Sequence, residues 1–155
     1  MKNRLFLTGA RRRKGRGTIK WREDKGRIDP VLLDLVALRT AQIYRHTVSM
    51  ERHTLDLKTR GEPEQRLAQL ETWRKSSLFG KKERAALALC EAVALHPTEH
   101  VASDLLHRVR LYFSKEQVFT LTQAIIALID WNHLSASCLW EDEPAGMRTT
   151  LHRIE

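Results

Sequence analysis

Three side chains able to do chemistry, His46, Ser49 and His53, fall at i, i+3 and i+7 in the stretch from Asp34 to Asp56, DLVALRTAQIYRHTVSMERHTLD. At about 100° per residue that spacing keeps all three on one face of a helix whose other positions are largely apolar. Four uses are open to such a face. The polar groups can simply satisfy one another. His46 and His53 can hold a metal ion with Asp34 as the carboxylate. His53, titrating near neutral pH and oriented by Asp34, can move protons as a general acid or base. Ser49 can act as a nucleophile with His46 or His53 as its base.

Distance separates these readings. On a straight helix His46 and His53 lie about 10.5 Å apart along the axis, and Asp34 and His46 about 18 Å apart. Neither a shared metal ion nor a direct Asp34–His46 contact survives unless the helix breaks. No metal and no cofactor is therefore expected, and the acid–base use itself requires a bend.

The elements that must position these groups read as helix after helix from Ile28 onward, with no run alternating at period two. Asp29-Pro30 starts a first helix, with an acidic cap and proline at its first position, and Gly61 stops it near Arg60. A second spans about 63 to 73 with Leu67 and Leu70 inward. The third, about 81 to 95, is rich in alanine, so another helix can approach it closely and it should be central. A fourth covers about 99 to 112, with Val101, Leu105, Leu106 and Val109 inward. Ser114-x-x-Gln117 is a capping box that opens a fifth helix, Lys115 to about Cys138. Apolar on most of its circumference, this last helix should be the buried one. The class is all-α, with no internal repeat.

Charge is unevenly placed. The 155 residues carry a net +8, but residues 1 to 27 alone contribute eleven Lys and Arg against Glu23 and Asp24, a net +9. The rest is nearly neutral. That basic stretch, with Gly9, Gly15 and Gly17 close together and no helical period, reads as a mostly disordered extension. Nucleic acid is a partner only weakly, through residues 1–27. No uninterrupted apolar run exceeds six residues, as in Ala124 to Ile129, so no membrane span is expected. Cys90 and Cys138 make no disulfide framework and suit a cytoplasmic location. Both are embedded in helical patterns, where a thiol is unreactive. Domain limits follow: an extension at 1–27, a helical domain at 28–140 and a tail at 141–155.

Several blocks in order, Leu-Asp-Leu-Val-Ala-Leu-Arg-Thr-Ala-Gln-Ile (33–43), His53, Gly-Glu-Pro-Glu-Gln-Arg-Leu (61–67), Trp73-Arg74, Lys-Glu-Arg-Ala-Ala-Leu-Ala (82–88) with Glu91-Ala92, Phe113-Ser114 and Ile-Asp-Trp-Asn (129–132), resemble the carboxymuconolactone decarboxylase family. The likeness is to its alkylhydroperoxidase D-like branch. It implies a bundle of about five to six helices, a homo-oligomer (dimer, trimer or hexamer), a small-molecule substrate and a role in peroxide detoxification. In that branch a Cys-x-x-Cys pair at a helix start reduces peroxide, one thiolate attacking and its partner resolving the sulfenic acid.

The family pattern Gln-Ile-Asn-Gly-Cys-x-x-Cys-x-x-x-His falls on Gln42 to His53. Both cysteines are replaced, by His46 and Ser49, and the histidine is kept as His53. The family's relay carboxylate corresponds to Asp34, and the Asn-Gly bend to Tyr44-Arg45, where the glycine is lost. Imidazole and hydroxyl cannot form a disulfide, so the resemblance implies either a cysteine-independent acid–base enzyme or a non-catalytic relative. His53, Asp34, His46 and Ser49 are the candidate site residues.

Overall fold

A computed structural model describes residues 26–138, with side chains through residue 135. Among the described residues six helices run in chain order: α1 (Pro30–Tyr44), α2 (Thr47–Thr59), α3 (Glu64–Ala68), α4 (Lys81–Leu95), α5 (Ser103–Arg110) and α6 (Lys115–Cys138). No strand occurs among the described residues. The basic extension lies outside them up to residue 25, as does the tail beyond 140.

α1 and α4 hold the bundle together. Leu32 and Val36 of α1 enter a core built with Ala86, Leu89 and Cys90 of α4, Val109 of α5 and Leu121 and Ile125 of α6. Leu35 and Leu38, on a neighbouring face of α1, enter a second core with Leu57 of α2, Leu67, Leu70, Trp73, Phe79 and Leu87. α1 is therefore covered on two sides, and each of its fully buried leucines is worth about 2 kcal/mol of transfer free energy. The alanines of α4 admit α1, α5 and α6 as neighbours, as their size predicts.

Local chemistry fixes the starts. Asp29 Oδ2 accepts from the Leu32 N–H at 3.3 Å, with Pro30 at the first helical position. The Glu83 carboxylate accepts the Gly80 N–H at 2.7 Å. At α6, Gln117 N–H donates to Ser114 Oγ (3.2 Å) and Ser114 N–H to Gln117 Oε1 (3.0 Å), the reciprocal pair expected there.

Four expectations need correction. The continuous first helix is two helices, divided at Arg45. The helix placed at 63 to 73 is a single turn and a half, continued as consecutive turns through Lys75, although Leu67 and Leu70 are buried as expected. α6 is not buried all round, since Phe119 (66% exposed), Ile126 (40%) and Leu134 (56%) face outward. α5 is also shorter than its apolar spacing suggests.

The division at Arg45 has an identifiable cause. Arg45 adopts a left-handed conformation (φ 54°), its N–H donates to Gln42 O (3.2 Å), and the next N–H, of His46, reaches back to Ala41 O (3.0 Å). This pair of bonds is a Schellman motif. The same motif ends α2, where Gly61 (φ 90°) donates to Lys58 O and Glu62 to Leu57 O, each at 3.0 Å. Glycine supplies the left-handed residue at 61; at 45 an arginine does. The Tyr44 hydroxyl, donating to Ala94 O at 2.8 Å, pins the end of α1 to the end of α4 just before the break.

Candidate functional site

Because the chain breaks at Arg45, His46 becomes the N-cap of α2 rather than a mid-helix residue. Its Nδ1 accepts the Ser49 backbone N–H at 3.2 Å and lies 2.8 Å from Ser49 Oγ. A backbone N–H is only a donor, so Nδ1 is the acceptor and the neutral ring carries its proton on Nε2. Nε2 lies 2.8 Å from Ser135 Oγ of α6, and that hydroxyl donates onward to Trp131 O at 2.7 Å. The result is a directed chain: Ser49 hydroxyl to His46 Nδ1, His46 Nε2–H to Ser135, Ser135 to a backbone carbonyl. Ser49 is 5% exposed and Ser135 is buried, while His46 is half-buried. The amide groups of the first turn of α2 point their positive ends at this cap, a setting that favours negative charge on Ser49 or on a bound molecule.

His53 lies further along α2 and takes no part in this chain. Its Nδ1 is buried without a hydrogen-bond partner, 4.0 Å from Asp34 Oδ1. Burial pulls the imidazole down from its ordinary 6.5 to about 4; Asp56 opposes the shift and Arg52 adds to it. The ring is therefore uncharged at neutral pH, and the expectation that His53 titrates near neutrality is not met. Asp34 is not committed to His53 either, because its Oδ2 accepts from Arg60 Nε at 2.7 Å. The bend brings Asp34 close to His53, not to His46.

A metal held by His46, His53 and Asp34 does not match this arrangement, since His46 faces the two serines. Asp34, His53 and Asp56 do bring one donor atom each within 4.8 Å of one another. Arginines engage both carboxylates of that group, Arg60 at Asp34 and Arg52 at Asp56 (3.8 Å).

Cys90 is fully buried on α4, its Sγ 3.3 Å from Thr40 Oγ1. Burial pushes the thiol up to about 12, so it carries no thiolate at neutral pH. Cys138, the last residue of α6, has no described side chain.

Two parts of the site had no local signal in the sequence. Ser135 meets His46 across 89 residues, and only the packing of α6 against α1 brings them together. Glu91, 5% exposed on α4, receives Arg39 Nε (2.8 Å), the Trp73 indole N–H (2.9 Å) and Arg74. Burial alone would raise its pKa, but the bonds from Trp73, Arg74 and Arg39 outweigh it and hold the carboxyl below the usual range. This node ties α1 to the loop before α4.

Known proteins resemble this chain in sequence and fold. The chain is 33% identical over 102 residues to the uncharacterized protein YdfG of Bacillus subtilis, covering 66% of this chain and 69% of YdfG. It is 31% identical over 119 residues to the uncharacterized protein YnjA of Escherichia coli, covering 76% of this chain and 63% of YnjA. Among solved structures, ATU0492 from Agrobacterium tumefaciens, a protein of unknown function provisionally assigned to antioxidant defence as an AhpD, superposes with a TM-score of 0.69. The identity is 24%, over 77% of this chain and 82% of that one. The debrominase Bmp8 superposes with a TM-score of 0.64 at 21% identity, over 88% and 72% of the two chains. These likenesses establish an AhpD-like helical fold. The sequence profile of one family covers residues 8–92, beginning inside the basic stretch and running through α4. With more than half its length in that match, the chain belongs to the carboxymuconolactone decarboxylase family.

Proposed function

We propose that this chain is an acid–base member of its family, transferring a proton to or from a small carboxylated lactone or a related small molecule rather than reducing peroxide through a thiol. The observation that carries the reading is the His46 imidazole, held in one tautomer between Ser49 and Ser135 at the start of α2. Its Nδ1 accepts a proton from Ser49 or from a substrate that displaces the Ser49 hydroxyl; Nε2–H keeps the ring oriented through Ser135. His53, uncharged, and Asp34, paired with Arg60, serve as supports beneath this pair. Thiol chemistry has no counterpart at positions 46 and 49, and Cys90 is too deeply buried to replace it.

The direct test is turnover of small carboxylated lactones, followed by decarboxylation and by double-bond isomerisation, beside peroxide consumption with a dithiol reductant. The reading predicts lactone turnover that falls at least 100-fold in His46→Ala and more mildly in Ser49→Ala. Cys90→Ser together with Cys138→Ser leaves it unchanged. Peroxide consumption abolished by those two cysteine substitutions contradicts the reading. Absence of any lactone turnover favours a relative that binds without reacting.

We also propose a cytoplasmic homo-oligomer. Phe119, Ile126 and Leu134 share one face of α6 at spacings of seven and eight residues, and such a stripe is normally covered by a partner. No helix among the described residues is long and apolar enough to cross a membrane.

A further inference from the structure

A cavity of about 470 Å³ opens between α4, α5 and the turns before α4, away from the His46 pair. It is within the size range of small-molecule sites. Every charged side chain that lines it is a cation: Arg74, Lys81, Arg84 and Arg108. Two of these are already committed. Arg84 donates to three carbonyl oxygens, of Trp73 (3.0 Å), Ser76 (2.8 Å) and Arg74 (2.6 Å), and Arg74 pairs with Glu91. Lys81, the first residue of α4, and Arg108 of α5 have no ion-pair or hydrogen-bond partner among the described residues.

The rest of the lining is apolar or aromatic. Ala85, Ala88 and Leu105 form the floor, and Tyr112, 38% exposed, stands at the wall. The Trp73 ring is covered by guanidinium groups, Arg74 at 4.4 Å and Arg84 at 5.4 Å from its centroid. A ligand therefore meets guanidinium planes rather than the bare indole, and such planes attract an aromatic ring as well as an anion. Inorganic phosphate would satisfy the two unpartnered cations but leave the apolar floor wet. A purely apolar molecule would bury the cations without a counter-charge.

We propose that this cavity is a second binding site, for a small aromatic carboxylate whose anionic end lies between Lys81 and Arg108 and whose ring lies over Ala85, Ala88 and Leu105 beside Tyr112. The site shares no residue with the His46 pair and does not rest on its function.

The probe is 1-naphthoate, titrated into the full chain by calorimetry at low salt, with acetate and inorganic phosphate as parallel arms. One naphthoate per chain is expected, bound at least ten-fold more tightly than acetate or phosphate and weakened by added salt. Lys81→Ala with Arg108→Ala, both at exposed positions, weakens naphthoate at least ten-fold with unchanged helical circular dichroism. Leu105→Asp weakens it comparably, and His46→Ala leaves it as in the wild type. Absence of saturable naphthoate binding overturns the proposal. So does naphthoate binding that is indifferent to the double substitution, or phosphate binding as tightly as naphthoate.

Discussion

Arg45 is the residue on which the site depends, because its left-handed backbone turns a mid-helix histidine into a helix cap. A side chain at positive φ costs about 1–3 kcal/mol, and glycine would remove that strain at some cost in unfolded-chain entropy. Arg45→Gly is expected to stabilise the fold by about 1 kcal/mol, seen as a rise of roughly 3 °C in thermal midpoint. Contacts of the chain around His46 should persist in that variant. His53 makes a second prediction. Its folded pKa of about 4 lies below its ordinary 6.5, so the unfolded chain takes up a proton in that window and the folded chain does not. The stability associated with neutral His53 is fully present above pH 6.5 and is lost as pH falls to 4. The loss approaches about 3 kcal/mol. Urea unfolding of wild type and His53→Leu across that window should show the acid limb flattened in the variant; parallel limbs would mean that His53 is not the buried neutral group. His46, Ser49 and His53 were legible as candidates because chemistry-bearing side chains at helical spacing stand out among apolar ones. Ser135 was not, because one serine near a chain's end carries no sign of a contact 89 residues away.

Among the elements, α4 was readable at both ends and α6 at its start. Their apolar patterns are long, and the Ser114–Gln117 pair marks the start of α6. The α1–α2 break was not readable by the same logic. The Schellman motif at Gly61 announces itself through glycine, whereas at Arg45 the identical hydrogen bonds rest on a residue that ordinarily continues a helix. Tertiary contacts, including Tyr44 to Ala94 and His46 to Ser135, offset the local preference. The same dependence on distant partners holds for the Glu91 node, which joins α1, α4 and the turns at Trp73. Glu91→Leu leaves Arg39 and the Trp73 indole N–H without their acceptor and should cost about 3 kcal/mol. Arg74→Ala removes a partner that is 59% exposed and should cost under about 1 kcal/mol. Urea midpoints of the two variants decide the point; equal losses would mean that the node's strength lies in its exposed pair.

For the whole molecule, the helices of the family scaffold are present, and the start of α2 carries His46 and Ser49. The net charge of +8 resides in the first 27 residues, so residues 28–155 are close to neutral. Phe119→Glu with Ile126→Glu is expected to reduce the mass measured by light scattering to that of one chain; an unchanged mass would place the interface elsewhere. The proposed function rests on the His46 imidazole being held in one tautomer at the start of α2. Nitrogen NMR of the histidine rings in the full-length protein at neutral pH tests it most directly. His46 is expected as a single Nε2–H tautomer, with Nδ1 shifted by its bonds from Ser49 and that shift reduced in Ser49→Ala, where only the backbone N–H remains as donor. An Nδ1–H tautomer, or rapid exchange between the two forms that Ser49→Ala leaves unaltered, would contradict it.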